Sequence, residues 1–257
     1  MNLLKKLKAS VTTDKKLQII RSWERFESRF YRNDLDRLAK IFKTDKNGIH
    51  YYTQHYQFHL KPLRKKRLNL LEIGVGGYKD PKSGGHSLRM WKAYFPKANI
   101  YAVDIYDKKF LEESRIKIFK GSQVDFDFMK NVSLKISELD IIVDDGSHIN
   151  SHVIDTFKFM FPLLKQNGIY FIEDTQTSYW QKMGGTSEEF NSFNSIMGYF
   201  KSLTDGLNYQ EFDKPGYKPN YFELNITSIH FYHNLIVIYK GLNNEPSNFM
   251  VNNQKPQ

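Results

Sequence analysis

Two short segments of this chain concentrate residue types that handle hard cations and protons. One is Asp144, Asp145, Gly146, Ser147 and His148, directly after the apolar run LDIIV. The other is Glu173 and Asp174, directly after GIYFI. If the two runs are neighbouring strands of one parallel sheet, their ends converge and four carboxylates crowd one place. Unpaired, such acids repel and raise one another's pKa values. A hard divalent cation resolves the conflict. Mg2+ takes carboxylate oxygen at about 2.0–2.1 Å and keeps waters that a substrate can displace. The competing structural reading is a set of solvated loop acids capping nearby helices. Two clustered pairs at matching strand ends favour the cation. Side chains alternate along a strand, so the adjacent Glu173 and Asp174 reach one metal only if the chain leaves the pleat there. It is expected to do so.

His148 stands three residues beyond Asp145. If a turn or helix starts at Gly146, both face one side. A neutral imidazole suits removal of an alcohol proton near pH 7. A general base is the favoured reading; a metal ligand or a structural histidine are its competitors.

A third constellation is Glu72, Gly74, Gly76 and Gly77, at the end of the run LNLLEI. In open α/β sheets, ligands bind beyond the carboxyl ends of strands. Glycines there let the backbone approach a ligand. A dinucleotide fingerprint would want glycine at position 79, where this chain has Lys79. An acid two residues before the first glycine instead fits the ammonium of a methionine moiety. Asp104, closing NIYAVD, is placed to accept from two ribose hydroxyls. Gly121, Ser122, Gln123, Val124 and Asp125 follow the next run, and Gln123 or Asp125 is set to meet an adenine edge. The segment 78–87 lengthens the gap between glycine turn and Asp104, and is expected to loop over the site.

These residues need a scaffold. Short apolar runs at 68–73, 99–105, 115–121, 139–145 and 168–174 alternate with helical patterns, among them 87–95 and 153–165. That is the spacing of βαβ units building a parallel sheet covered on both faces. Residues 175–222 read as loop plus helix. Residues 225–241 read as two strands with His233 and Asn234 at the turn, an antiparallel hairpin at the sheet's edge. Residues 1–43 form a helical arm, with Leu3, Leu4 and Leu7, then Trp23, Phe26 and Phe30, then Leu35, Leu38, Ile41 and Phe42 at helical intervals. Such an arm packs on its own domain or makes a homo-oligomer contact. The tail from residue 243 is polar.

Composition bounds the rest. The 257 residues suit one large α/β domain with extensions, and 40% hydrophobic residues supply a core. No cysteine is present, which excludes disulfides, thiolate metal sites and a cysteine nucleophile. Net charge is +10, read either as a basic soluble surface or as attraction to an anionic partner. No apolar run approaches the ~20 residues of a membrane span, and MNLLKKLKAS lacks the core of a signal peptide. A cytoplasmic enzyme is the default expectation.

From Thr44 to about Gly185 the chain resembles metal-dependent sugar O-methyltransferases, a family that includes mycinamicin-type macrolide sugar enzymes and relatives from bacterial polysaccharide clusters. The segments that carry the likeness are TDKNGIHYYTQHY, LLEIGVGG, GGHSLRMWKAYFP, VDIYDK, GSQVD, DDGSH and EDTQTSYW. DDGSH paired with EDTQTSYW is the specific part; the glycine turn is not specific. The resemblance implies a Rossmann-like class I methyltransferase fold in residues 44–242, with a mostly parallel seven-stranded sheet in the order 3-2-1-4-5-7-6. It implies S-adenosylmethionine and a Mg2+ held by Asp145, Glu173 and Asp174, with His148 as base. It places Lys46 and Tyr52 near cofactor or substrate. Residues 1–40 and 186–222 match least, and acceptor recognition belongs to the latter.

The expected cofactor residues are Glu72, Gly74, Gly76, Asp104, Gln123, Asp125 and Asp144. The expected reaction is an in-line methyl transfer to a sugar hydroxyl. The charge leans towards a nucleotide-activated hexose or heptose of capsule or surface-polysaccharide synthesis as acceptor. Two other classes compete. An RNA methyltransferase would need a continuous Lys/Arg groove with stacking aromatics, and DNA is not an expected partner. A non-catalytic protein keeping the fold would not bind S-adenosylmethionine.

Overall fold

A computed structural model describes residues 13–250. Leu3, Leu4 and Leu7 of the expected arm and the last residues of the tail lie outside them. The chain divides into two compact units, Met1–Arg67 with Gly85–Ala98, and Leu68–Gly84 with Asn99–Gln257.

The first unit is helical: α1 (Thr13–Ser28), α2 (Leu35–Phe42), α3 (Thr53–Leu60) and α4 (His86–Tyr94). Asp34 caps α2 by accepting from the Arg37 N–H, and Lys43 ends it in the left-handed region. Leu35, Leu38 and Phe42 are buried, as their spacing predicts, whereas Trp23, Phe26 and Phe30 are exposed. The arm does not stop at residue 43. The Phe42 carbonyl lies 2.7 Å from His86 Nδ1, Arg89 pairs with Glu24 at 3.4 Å, and the Tyr56 and Trp91 rings meet edge to face. Helix α4 is thereby built into this unit. Lys46 and Tyr52 lie in it too. Both are buried, and the Lys46 carbonyl accepts the N–H groups of Tyr52 and Thr53.

The second unit holds the sheet: β1 (Asn69–Ile73), β2 (Asn99–Asp104), β3 (Ile116–Lys120), β4 (Leu139–Asp144), β5 (Leu164–Glu173), β6 (Ile226–Tyr232) and β7 (Leu235–Lys240). Their order is β3-β2-β1-β4-β5-β7-β6. All neighbours are parallel except β7 with β5 and with β6. Residues on β1 and β4 are buried on both faces, which explains why these runs are mainly apolar. One face packs against α5 (Phe126–Ile136), α6 (Asn150–Leu163) and α7 (Ile196–Ser202). Leu71, Ile73 and Tyr170 meet Met129, Phe157, Met160 and Phe200 there. Each such side chain contributes about 1.5–3 kcal/mol by leaving water.

Two local features differ from the sequence reading. Helix α5 was not anticipated, although Asp125 caps it and Met129, Val132 and Ile136 mark its buried stripe. Strand β5 begins at Leu164, not 168. Lys240 Nζ takes the carbonyls of Phe161, Pro162 and Leu164, which stops α6 and starts the strand. Residues 175–222 hold 3-10 turns, α7 and the short α8 (Tyr221–Asn225). The hairpin turn falls at His233 and Asn234, as expected.

Candidate functional site

The parallel ladders continue past the strand ends. The Gly74 N–H donates to the Val103 carbonyl at 2.8 Å, and the Asp145 N–H to the Ile73 carbonyl at 2.9 Å. Gly121 donates likewise to Asp104. The glycine turn, Asp104 and the DDGSH turn thus stand side by side at the carboxyl edge. Gly74 has φ +96°, and a Cβ on it would fall on the Asp145 carbonyl. Only glycine lets these two turns touch. Gly76, φ +74°, faces open space, which leaves room for a ligand beside its backbone.

Asp104 Oδ2 accepts from the Val75 N–H at 3.0 Å and Oδ1 from Tyr106 at 2.8 Å. Each oxygen keeps a lone pair for a ligand hydroxyl. The loop 78–85 folds back beside the turn. Buried Lys108 holds it, its Nζ donating to the carbonyls of Asp80 (2.7 Å) and Ser83 (3.1 Å). Lys108 escaped the sequence reading because an ordinary surface lysine looks the same.

Three expected cofactor residues face inward. Glu72 is fully buried in the strand, between Ala102 and Val143 in register, rather than at an open edge. Gln123, expected at an adenine edge, spends its amide internally. Its Nε2 donates to Asp144 Oδ1 (3.3 Å) and Thr156 Oγ1 (3.1 Å), and its Oε1 accepts the Ser147 N–H (2.8 Å). Asp144 is 1% exposed. Burial pushes its carboxyl up to about 7, opposed by hydrogen bonds from Gly146 and Gln123 and reinforced by Asp145. Asp125 is exposed and caps α5 through the Phe128 N–H.

Of the four carboxylates expected to converge, Asp145 and Asp174 stand beside His148. Asp145, His148 and Asp174 each offer a ligand atom within 4.8 Å of the others, the one such group among the described residues. His148 Nε2 lies 3.6 Å from Asp174 Oδ2 and 3.8 Å from Asp145 Oδ1. All three side chains are partly open to solvent. The chain does leave the pleat, and it does so at Asp174, whose φ of 55° is left-handed. Glu173, expected at the metal with it, is the last residue of β5, lies opposite Leu235 and is 2% exposed. His148 is left-handed too, with φ 55°. Two left-handed non-glycine residues therefore stand in one cluster, at a cost of about 1–2 kcal/mol each. The two carboxylates suit a hard divalent cation, and the imidazole beside them is placed to take a proton. Beside them, Ser147 Oγ contacts His152 Nδ1 at 3.1 Å.

No protein-family model matches the sequence. The chain is 42% identical over 214 residues to the mycinamicin VI 2''-O-methyltransferase of Micromonospora griseorubida, covering 82% of this chain and 54% of that protein. It is 42% identical over 214 residues to the demethylmacrocin O-methyltransferase of Streptomyces fradiae, with the same coverage. The solved structure of the mycinamycin-pathway methyltransferase MycE in complex with Mg and SAH superposes with a TM-score of 0.80 at 41% identity, over 83% of this chain and 55% of that one. The chain thus spans about half the length of the proteins it matches. Over four-fifths of its length the chain is thus similar to mycinamicin-type sugar O-methyltransferases, and its strand order is that of a class I methyltransferase fold.

Proposed function

We propose that this chain is an S-adenosylmethionine-dependent, Mg2+-assisted O-methyltransferase whose acceptor is a sugar hydroxyl. One observation carries the reading. The Asp145–His148–Asp174 cluster shares a backbone contact with the glycine turn, through Gly74 and the Asp145 carbonyl. Methyl donor and cation site would be neighbours by construction. Asp145 and Asp174 would hold the cation, and Asp104 and the backbone at Gly76 would hold the donor. When bound, the cation supplies Lewis acidity towards the acceptor hydroxyl and S-adenosylmethionine supplies the methyl group. His148 takes the hydroxyl proton at Nε2, and the two carboxylates beside it stabilise the imidazolium. Alignment of the reacting atoms accounts for most of the remaining acceleration.

A further relative, 39% identical over 214 residues, is the 8-demethyl-8-(2-methoxy-alpha-L-rhamnosyl)-tetracenomycin-C 3'-O-methyltransferase of Streptomyces olivaceus, whose rhamnosyl-bearing substrate supports a glycoside acceptor. The +10 charge supports a second reading, a sugar still carried on a nucleoside diphosphate, as in surface-polysaccharide synthesis. Methyl transfer from labelled S-adenosylmethionine, to glycosides and to nucleotide sugars, separates the two. Turnover should vanish with EDTA and return with Mg2+. Turnover unaffected by EDTA would refute the metal's part, and calorimetry showing no S-adenosylmethionine binding would refute the whole.

A further inference from the structure

One buried amide ties together the two segments that carry the cluster. Asn150, the first residue of α6, is 0% exposed. Its Nδ2 donates to the carbonyls of Thr177 (3.0 Å) and Met183 (2.9 Å). Its Oδ1 accepts the Ile196 N–H at 2.6 Å. Asn150 stands two residues beyond His148. Thr177 stands three beyond Asp174 and returns to it, donating both its N–H and its Oγ1 to the Asp174 carbonyl at 3.2 Å. A closed path therefore runs from His148 through Asn150 and Thr177 to Asp174. It bridges positions far apart in sequence, one after β4 and one after β5.

We propose that Asn150 is a positioning residue that sets the distance from Asp174 to Asp145 and His148, and so the cluster's affinity for a divalent cation. The inference rests on the cation reading given above. Mg2+ and its relatives demand a narrow range of ligand distances, so a small drift of one carboxylate costs affinity. Residues that orient metal ligands commonly cost 10–100-fold in affinity when changed. A plain structural brace would lower stability and leave cation affinity alone.

Mn2+ titration followed by electron paramagnetic resonance tests this, with S-adenosylmethionine affinity measured by calorimetry on the same samples. Asn150→Asp keeps size and acceptor but turns an oxygen towards the Thr177 and Met183 carbonyls. Asn150→Ser removes the bridge. Both should weaken Mn2+ by about tenfold and leave S-adenosylmethionine binding unchanged. Thr177→Val removes one bond to Asp174 with little change of shape. It should shift Mn2+ affinity in the same direction and decides the matter if the Asn150 variants do not fold. Folded variants with wild-type Mn2+ affinity overturn the inference and leave the cation site standing. Wild-type protein without Mn2+ binding, or Asp174→Asn with full binding, overturns the cation reading itself.

Discussion

Asp144 should make this protein less stable as pH rises through the weakly acidic range, and Asp144→Asn should remove that dependence. The carboxyl is buried among Gln123, the Gly146 N–H and the interior, and its pKa goes from 3.8 to about 7. Well below 3.8 it is protonated in both folded and unfolded chains, and its contribution to stability is complete. Between about 4 and 7 the unfolded chain releases the proton and the folded chain keeps it. Stability therefore falls with rising pH, by about 1.4 kcal/mol per unit at the steepest. Across the interval from 3.8 to about 7 the loss totals about 4 kcal/mol. Above 7 the folded chain carries the charge and no further loss comes from this group. Urea unfolding at half-unit steps from pH 4.5 to 8, with EDTA present, gives the two stability curves. Subtracting them cancels the other titrating groups. A difference that changes by several kcal/mol across the interval is the expected result. Parallel curves would show that Asp144 titrates normally in the folded protein, and that the burial argument is wrong.

His148→Ala should lower methyl transfer by about 10²–10⁴-fold while calorimetry finds S-adenosylmethionine and Mn2+ affinities intact; lost Mn2+ affinity would make His148 a ligand instead of a base. Asp145→Asn should abolish Mg2+-dependent turnover and Mn2+ binding together, and a variant that still turns over with Mg2+ would move the cation elsewhere. Gly74→Ala puts a Cβ on the Asp145 carbonyl at a left-handed φ. It should cost about 2 kcal/mol or more and weaken cofactor binding, both readable by thermal unfolding with and without S-adenosylmethionine. Lys108→Met strips two carbonyls of their donor, at about 1–3 kcal/mol each. Faster proteolysis within residues 78–85 is the expected sign, and an unchanged cleavage rate would count against Lys108 as the clasp.

The strands announce themselves because a strand buried on both faces is mainly apolar, as LNLLEI and LDIIV are. Acids and a histidine clustered at the ends of two such runs were equally legible as residue types, among them Asp145, His148 and Asp174. Helix α5 carries a local signal, a cap at Asp125 and a stripe of Met129, Val132 and Ile136, as does the hairpin turn at His233 and Asn234.

What the sequence alone determined here is periodicity and punctuation: which runs must be buried, where they stop, and which residue types stand at the stops. Only the tertiary structure decided how the acids are shared out. Glu173 stays in the sheet while Asp174 swings into the cluster, and Asp144 turns inward while Asp145 turns out. Gln123 and Asn150 become internal ties, and Lys108 becomes the clasp of a loop. The reason is that a side-chain amide, acid or ammonium carries the same donors and acceptors wherever it lies. Which partners it finds depends on carbonyls and N–H groups brought near by chain segments dozens of residues away, and no local pattern encodes them.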